Sequence, residues 1–335
     1  MMPTDLLGRS LRDLRISVTD RCNMRCSYCM PKEFFGPDYA FLERKELLTY
    51  EEITRVTRVF VRLGVQKVRI TGGEPLLRRE LSRLVSRLAS VKGIEDLTLT
   101  TNGLLLKRHA RGLKEAGLHR VTVSLDSLDQ EEFASIANVE APVEEVLSGI
   151  REAQRVGLTP VKINAVIRRG INEKAILQLA AFFRGSGCVL RFIEYMDVGN
   201  TNDWQPSEVI PSREVLELID SHYPLEPLNP NYRGEVAQRW GYRDGQGEIG
   251  VVSSVSEPFC GDCTRTRLSP EGVLYTCLFA SLGHDLRTPL RQGATDRELL
   301  QLVSGIWQQR KDRYSELRST LPSAGSKVEM SHIGG

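Results

Sequence analysis

Leu14-Arg-Ile-Ser-Val-Thr-Asp-Arg-Cys22-Asn-Met-Arg-Cys26-Ser-Tyr-Cys29 is the stretch on which the reading of this 335-residue chain turns. It opens as a strand, because Leu14, Ile16 and Val18 alternate with Arg15, Ser17 and Thr19, and strand side chains point to opposite faces with a period of two. It then runs into a C-x3-C-x2-C set, Cys22, Cys26 and Cys29, with no fourth ligand close by. Soft thiolates select zinc or iron and sulfide. A closed zinc site wants four ligands, whereas a cubane held by three cysteines leaves one iron open to bind something else. The triplet therefore points to a reactive iron, with a zinc loop completed by a distant ligand as the alternative.

Outward from this stretch the strand motif repeats. Further β-like runs lie at 67–71, 97–100, 121–124, 161–166 and 189–194, and most are separated by helix-like periodic segments. Thr49 followed by Glu52 is a capping-box start for a helix ending near Gly64, and Gly117 and Gly157 sit where helices should close. Six βα units predict a parallel sheet. Each strand also has one polar face: Arg15 and Ser17, Arg69 and Thr71, Thr98 and Thr100, Thr122 and Ser124, Lys162 and Asn164. The apolar faces must meet the helices, so the polar ones converge on an interior that an ordinary eight-stranded barrel fills with Val, Ile and Leu. A wet, ligand-filled lumen is expected; an open doubly wound sheet with shifted parity is the alternative.

The stretch 204–230, rich in proline, reads as a domain connection carrying one short helix between Ser212 and His222. It divides the chain into 1–230, a partial barrel, and 231–335, a smaller part. That part holds β-like runs at 235–242 and 248–253, a second cysteine group and a helix at about 295–313. The second group, Cys260, Cys263 and Cys277, is again a triplet and predicts a second open cluster. A zinc knuckle using His284 or a relay cluster closed by Cys188 are the alternatives, although Cys188 sits in an apolar run and reads as core. Arg265 and Arg267 alternate just after the second pair, so a strand there aims both at one face beside the cluster.

Composition narrows the rest. With 45 basic against 43 acidic residues, a nucleic-acid binder held by bulk charge is not expected. No window approaches the roughly 18 apolar residues of a spanning helix, and the first ten residues lack the order of a signal peptide, so a cytoplasmic protein without a membrane segment is expected. In a reducing compartment six clustered cysteines read as metal ligands before they read as disulfides.

The first triplet resembles the signature of the radical S-adenosylmethionine (SAM) enzymes, whose open iron is chelated by the amino and carboxylate groups of SAM. Thr71-Gly72-Gly73-Glu74-Pro75, after the second strand, resembles that superfamily's second hallmark: glycines let backbone approach a ligand, and Glu74 offers a carboxylate to an ammonium. The superfamily's six-unit partial barrel agrees with the six βα units. The run from Pro258 through Cys277-Leu-Phe, and the ending Gly334-Gly335, resemble the molybdenum cofactor biosynthesis protein A family, the GTP 3',8-cyclases.

That resemblance implies two 4Fe-4S clusters, each on three cysteines. The first reduces SAM to methionine and a 5'-deoxyadenosyl radical, which takes the 3' hydrogen of GTP; the ribose radical then closes on C8 of guanine. It further implies that Tyr28, Gly73, Glu74, Ser124 and Met196 serve SAM. Arg15, Arg69, Thr100, Lys162, Arg265, Thr266 and Arg267 would hold GTP, its guanine against the open iron of the second cluster. Arg15, Arg265, Arg267, Gly334 and Gly335 would be catalytic, the tail reaching the active site. A low-potential electron donor, a downstream cyclic pyranopterin monophosphate synthase and a monomer or homodimer complete the expectation. Residues 136–142 lack the glycine often found after the fourth strand in this family, and no role follows for them.

Overall fold

Strands form where the alternation is cleanest. β1 (Asp13–Ser17), β2 (Lys67–Thr71), β3 (Asp96–Thr101), β4 (Arg120–Ser124), β5 (Lys162–Ile167) and β6 (Val189–Glu194) occupy the six expected places in this computed structural model, which describes residues 2–318, 320 and 326–335. Their apolar positions, such as Leu14, Ile16, Val68, Ile70, Leu97 and Leu99, are fully buried in one continuous core, each side chain worth about 1.5–3 kcal/mol. The helix Tyr50–Arg62 starts with the expected capping box, Glu52 N–H donating to Thr49 Oγ1 (3.1 Å) and Thr49 N–H to Glu52 Oε2 (2.7 Å). Gly117 and Gly157 close their helices at φ of 97° and 82°.

The six strands pair in sequence order, all parallel. Register matters more than order for function. Arg15 lies opposite Arg69, Arg69 opposite Thr98 and Thr122 opposite Lys162, so the polar positions form continuous rows on one face. The polar lumen is therefore a property of the fold.

The sheet does not stop at β6. β7 (Leu225–Leu228), β8 (Gln238–Tyr242), β9 (Glu248–Val252), β10 (Arg265–Leu268), β11 (Val273–Tyr275) and β12 (His284–Asp285) join it, giving the order β12-β11-β10-β1-β2-β3-β4-β5-β6-β9-β8-β7. β9 pairs parallel with β6 and β10 parallel with β1, so the C-terminal third extends both edges of the half-barrel. The division at residue 230 falls between β7 and β8, which are antiparallel partners. β7 lies in the proline-rich stretch expected to be a connection, and its Pro227 is tolerated because β7 is the outermost strand of its edge.

Residues 136–142 acquire a structural role. Ile136 and Ala137 end the helix Gln130–Ala137, and their carbonyls accept the N–H groups of Ser27 (3.1 Å) and Arg25 (2.9 Å) in the first cysteine loop. Asn138, at φ 46°, supplies the left-handed cap for which glycine was missed. Among the described residues no helix is long and apolar enough to cross a membrane.

Candidate active site

The strand ends and the second cysteine group surround one cavity of about 310 Å³, within the usual range for small-molecule sites. Both cysteine triplets line it. At one end, the first triplet sits on the loop leaving β1, where Cys26 O accepts from Cys29 N–H (3.0 Å) and Met30 N–H (2.9 Å). Arg25 staples the loop, donating to the carbonyls of Cys22 (2.8 Å) and Phe35 (2.7 Å). Burial pushes the thiols up: Cys22 to about 11, with the Glu74 charge adding to it, and Cys26 well above the usual range.

Gly73 lines the cavity beside this loop, packed so closely that a Cβ there would lie 3.0 Å from the carbonyl oxygen of Asp20 and nearer still to that of Arg21. Tyr28, Ser124 and Met196 also face the cavity. The Tyr28 hydroxyl donates to Asp126 Oδ2 (2.7 Å), while Asp126 Oδ1 accepts from Val166 N–H (2.8 Å). Burial raises the Asp126 carboxyl to about 6.

Glu74 departs from expectation. Its side chain is fully buried and accepts from Leu76 N–H (2.9 Å), Thr101 Oγ1 (2.8 Å) and Asn102 N–H (2.7 Å). It therefore pins the end of β3 to the Gly-Gly turn instead of offering itself to a ligand's ammonium.

The second triplet is held by arginines. Cys260 and Cys263 flank a short turn before β10, and Cys277 follows β11. Arg9 donates to Cys260 O (2.7 Å), Arg310 to Cys263 O (2.7 Å) and Cys263 Sγ (3.3 Å), and both arginines pair with the buried Asp5. Arg265 reaches Cys263 Sγ from Nε (3.3 Å) and Nη2 (3.2 Å). Burial alone would raise the Cys263 thiol, but the charges of Arg265 and then Arg310 bring it down to about 6, whereas burial and then Asp312 push Cys277 to about 11. Neither His284, exposed on β12, nor Cys188, buried in the core, lines the cavity. Among the described residues no three His, Cys, Asp or Glu side chains converge closely enough for a single metal ion. All six thiols line the one cavity, and soft thiolates are a donor type suited to iron-sulfur clusters.

Between the triplets the wall is cationic. Arg15, Arg69, Lys162, Arg265 and Arg267 all line it, with Thr100 accepting from Arg69 Nη1 (2.8 Å). Burial, then Arg267 and Arg69, hold Arg15 well below its ordinary value; burial and then Arg265 lower Arg267 to about 10. Lys162 falls to about 7 through burial and then Arg191. The Nε atoms of Arg15, Arg69 and Arg191 are buried without partners. Thr266 is the exception among the expected ligands: lying between Arg265 and Arg267 on β10, it turns to the other face and donates to Tyr275 O (3.0 Å).

The C-terminus enters the same cavity. Lys327 pairs with Asp197 (2.8 Å), Glu329 accepts from Asn200 N–H (2.9 Å), Ile333 is fully buried, and Gly335 lines the wall. Arg267 Nη1 donates to Gly334 O, and a side chain at Gly334, where φ is 76°, would run into Thr71.

Three participants escaped the sequence reading. Arg191 and Asp126 continue the polar parity of β6 and β4, so that signal was present. The Asp5–Arg9–Arg310 lacing joins the two ends of the chain and left no local signal.

A curled parallel sheet carrying three thiols at the loop after its first strand defines the radical SAM class, and the family model of the Radical SAM superfamily matches residues 16–183. The model Molybdenum Cofactor Synthesis C matches 188–316. The chain is 54% identical to a GTP 3',8-cyclase of Acidothermus cellulolyticus over 99% of this chain and 98% of that one, and 50% identical to one of Xanthomonas axonopodis with the same coverage. It therefore belongs to the GTP 3',8-cyclase family of radical SAM enzymes. Streptococcus suis SuiB bound to S-adenosylmethionine shares the fold at 16% identity, with a TM-score of 0.61 over 89% of this chain and 68% of SuiB.

Proposed function

We propose that this enzyme converts GTP to (8S)-3',8-cyclo-7,8-dihydroguanosine 5'-triphosphate, the first step of molybdenum cofactor biosynthesis, releasing methionine and 5'-deoxyadenosine. The observation that carries the reading is the cluster of cations lining the cavity with the two cysteine triplets, in which the Nε atoms of Arg15, Arg69 and Arg191 are buried without partners. An uncompensated buried charge costs several kcal/mol, and a polyanion such as a triphosphate relieves several at once.

In this reading Cys22, Cys26 and Cys29 hold one 4Fe-4S cluster, and Cys260, Cys263 and Cys277 a second. When bound, the first cluster and SAM supply the 5'-deoxyadenosyl radical that takes the 3' hydrogen of GTP. The protein's own residues position and shield. Gly73, packed on the Asp20 and Arg21 carbonyls, sets the SAM wall close to the cysteine loop, Asp126 fixes the Tyr28 ring, and Ser124 and Met196 complete that wall. Arg15, Arg69, Lys162, Arg191 and Arg267 gather the phosphates, Thr100 orients Arg69, and Arg265 divides itself between Cys263 and the base. Gly334 and Gly335 close the cavity, keeping water from a reactive ribose. Residues 1–230 carry SAM cleavage and 231–335 the substrate-side cluster. The enzyme works in the cytoplasm, draws on a low-potential donor and hands its product to cyclic pyranopterin monophosphate synthase.

Anaerobic incubation of reconstituted enzyme with SAM, reductant and GTP should give deoxyadenosine and the cyclised triphosphate together. Deoxyadenosine without consumption of GTP overturns the reading.

A further inference from the structure

Among the described residues four acidic side chains line the cavity, and three are committed. Both oxygens of Asp126 are taken by Tyr28 and Val166, Asp312 pairs with Arg310 (3.2 Å), and Glu235 accepts from Asn231 N–H (2.7 Å) and Nδ2 (3.1 Å). The fourth, Asp13, stands first on the polar face of β1, two residues before Arg15. It is 8% exposed, its Oδ1 has no partner, and among the described residues it forms no ion pair.

The charge of Asp13 acts on Arg15, Arg69, Arg265 and Arg267, yet none of them donates to it. Asp13 is in register with Arg265 on one side and Lys67 on the other, and neighbouring strands stand about 4.8 Å apart. Both neighbours are engaged elsewhere: Arg265 with Cys263 Sγ, and Lys67 with Asp96 (3.4 Å) and the Tyr232 hydroxyl (3.0 Å). A buried carboxylate left without donors is costly, and such groups need a partner that arrives from outside.

The partner must donate. Phosphate oxygens carry the wrong charge. On the proposed function the ribose is directed to the first triplet, whereas Asp13 lies at the opposite end, beside the strand that carries Arg265. What remains of the substrate there is the base. Guanine differs from hypoxanthine by its 2-amino group, a hydrogen-bond donor, and a base facing the second triplet turns that edge toward Asp13. We propose that Asp13 is a specificity-determining residue that accepts a hydrogen bond from the guanine 2-amino group. It makes a guanine nucleotide the ligand that supplies the donor Asp13 Oδ1 lacks.

This rests on the nucleotide reading above, and calorimetry on the whole protein with GTP and ITP separates the two. Wild type should bind GTP at least about tenfold tighter than ITP, the range of a hydrogen bond to a charged group. Asp13→Ala should bring that ratio to about one by weakening GTP while ITP holds or tightens; Asp13→Asn should fall between. If GTP and ITP weaken by the same factor, Asp13 is a counter-ion for the arginines and the inference fails. Equal affinities in wild type overturn it without any variant, which covers the case in which a variant does not fold. If wild type binds neither nucleotide, it is the proposed function that fails.

Discussion

The two cysteine triplets share a cavity but are built by different means. The first is a local object: three cysteines within eight residues, folded by their own backbone and braced by Arg25 and the carbonyls of Ile136 and Ala137. The second is assembled from distant parts, with Cys277 brought over by β11 and Arg9 and Arg310 arriving from the two ends of the chain. Their fields differ as well. Glu74 and Asp126 stand near the first, whereas Arg265 and Arg310 crowd the second. On the proposed function, a site that cleaves a cation such as SAM and one that grips an anionic nucleotide need these opposite surroundings, and one cavity, lined by both triplets, offers both.

If the triplets are functionally distinct, the largest expected effect is also the most diagnostic. Cys26→Ala should abolish both deoxyadenosine and cyclised product, while Cys260→Ala should leave SAM cleavage and remove product. Identical loss of both in the two variants, followed by chromatography of quenched reactions, would collapse the distinction.

Next in size is the cationic wall. Arg191, lowered to about 9 by burial and then Arg69, carries an unpartnered Nε. Arg191→Met should weaken GTP by about 3 kcal/mol, roughly a hundredfold, yet raise the melting temperature of the nucleotide-free protein by a few degrees. Nucleotide-free melting that falls instead would show that the cation is already satisfied.

A smaller effect follows from Lys162. Its folded value near 7 lies below the ordinary 10.5, so its contribution to nucleotide-free stability is fully present above 10.5 and is lost as pH falls through 7. A bound triphosphate favours the charged form. Binding at pH 8 should therefore take up close to one proton, seen as a buffer-dependent enthalpy, and affinity should fall by up to about tenfold per pH unit above 7. Lys162→Met should remove both signatures.

Smallest is Asn138→Ala, which places an ordinary side chain at φ 46° and should cost about 1 kcal/mol, read as a melting shift of about 1–2 °C. Iron loading of the first triplet should loosen with it while that of the second stays.

Much of this was legible in the chain because it is local. Alternation along a strand reports which side chains share a face, so it sends Arg15, Arg69, Thr100 and Lys162 to one lumen, and all four line the cavity. Thr49 and Glu52 specify a helix start within four residues. Where a motif alone assigned a role, the structure adds detail the motif lacks: Gly73 lines the cavity but packs on the carbonyls of Asp20 and Arg21, Glu74 accepts three hydrogen bonds from the scaffold, and Thr266 faces away.

The strand periods, the spacings of both cysteine triplets and the inward cations were thus set by neighbours in sequence. Register and partnership belong to the folded molecule. That β9 and β10 complete the two edges of the half-barrel, that Asp5 ties Arg9 to Arg310 across the whole chain, and that Asp13 is left without a donor all depend on contacts between residues far apart in sequence. Such contacts form only once the apolar faces have docked and the strands have chosen their pairing, and no local pattern records that choice.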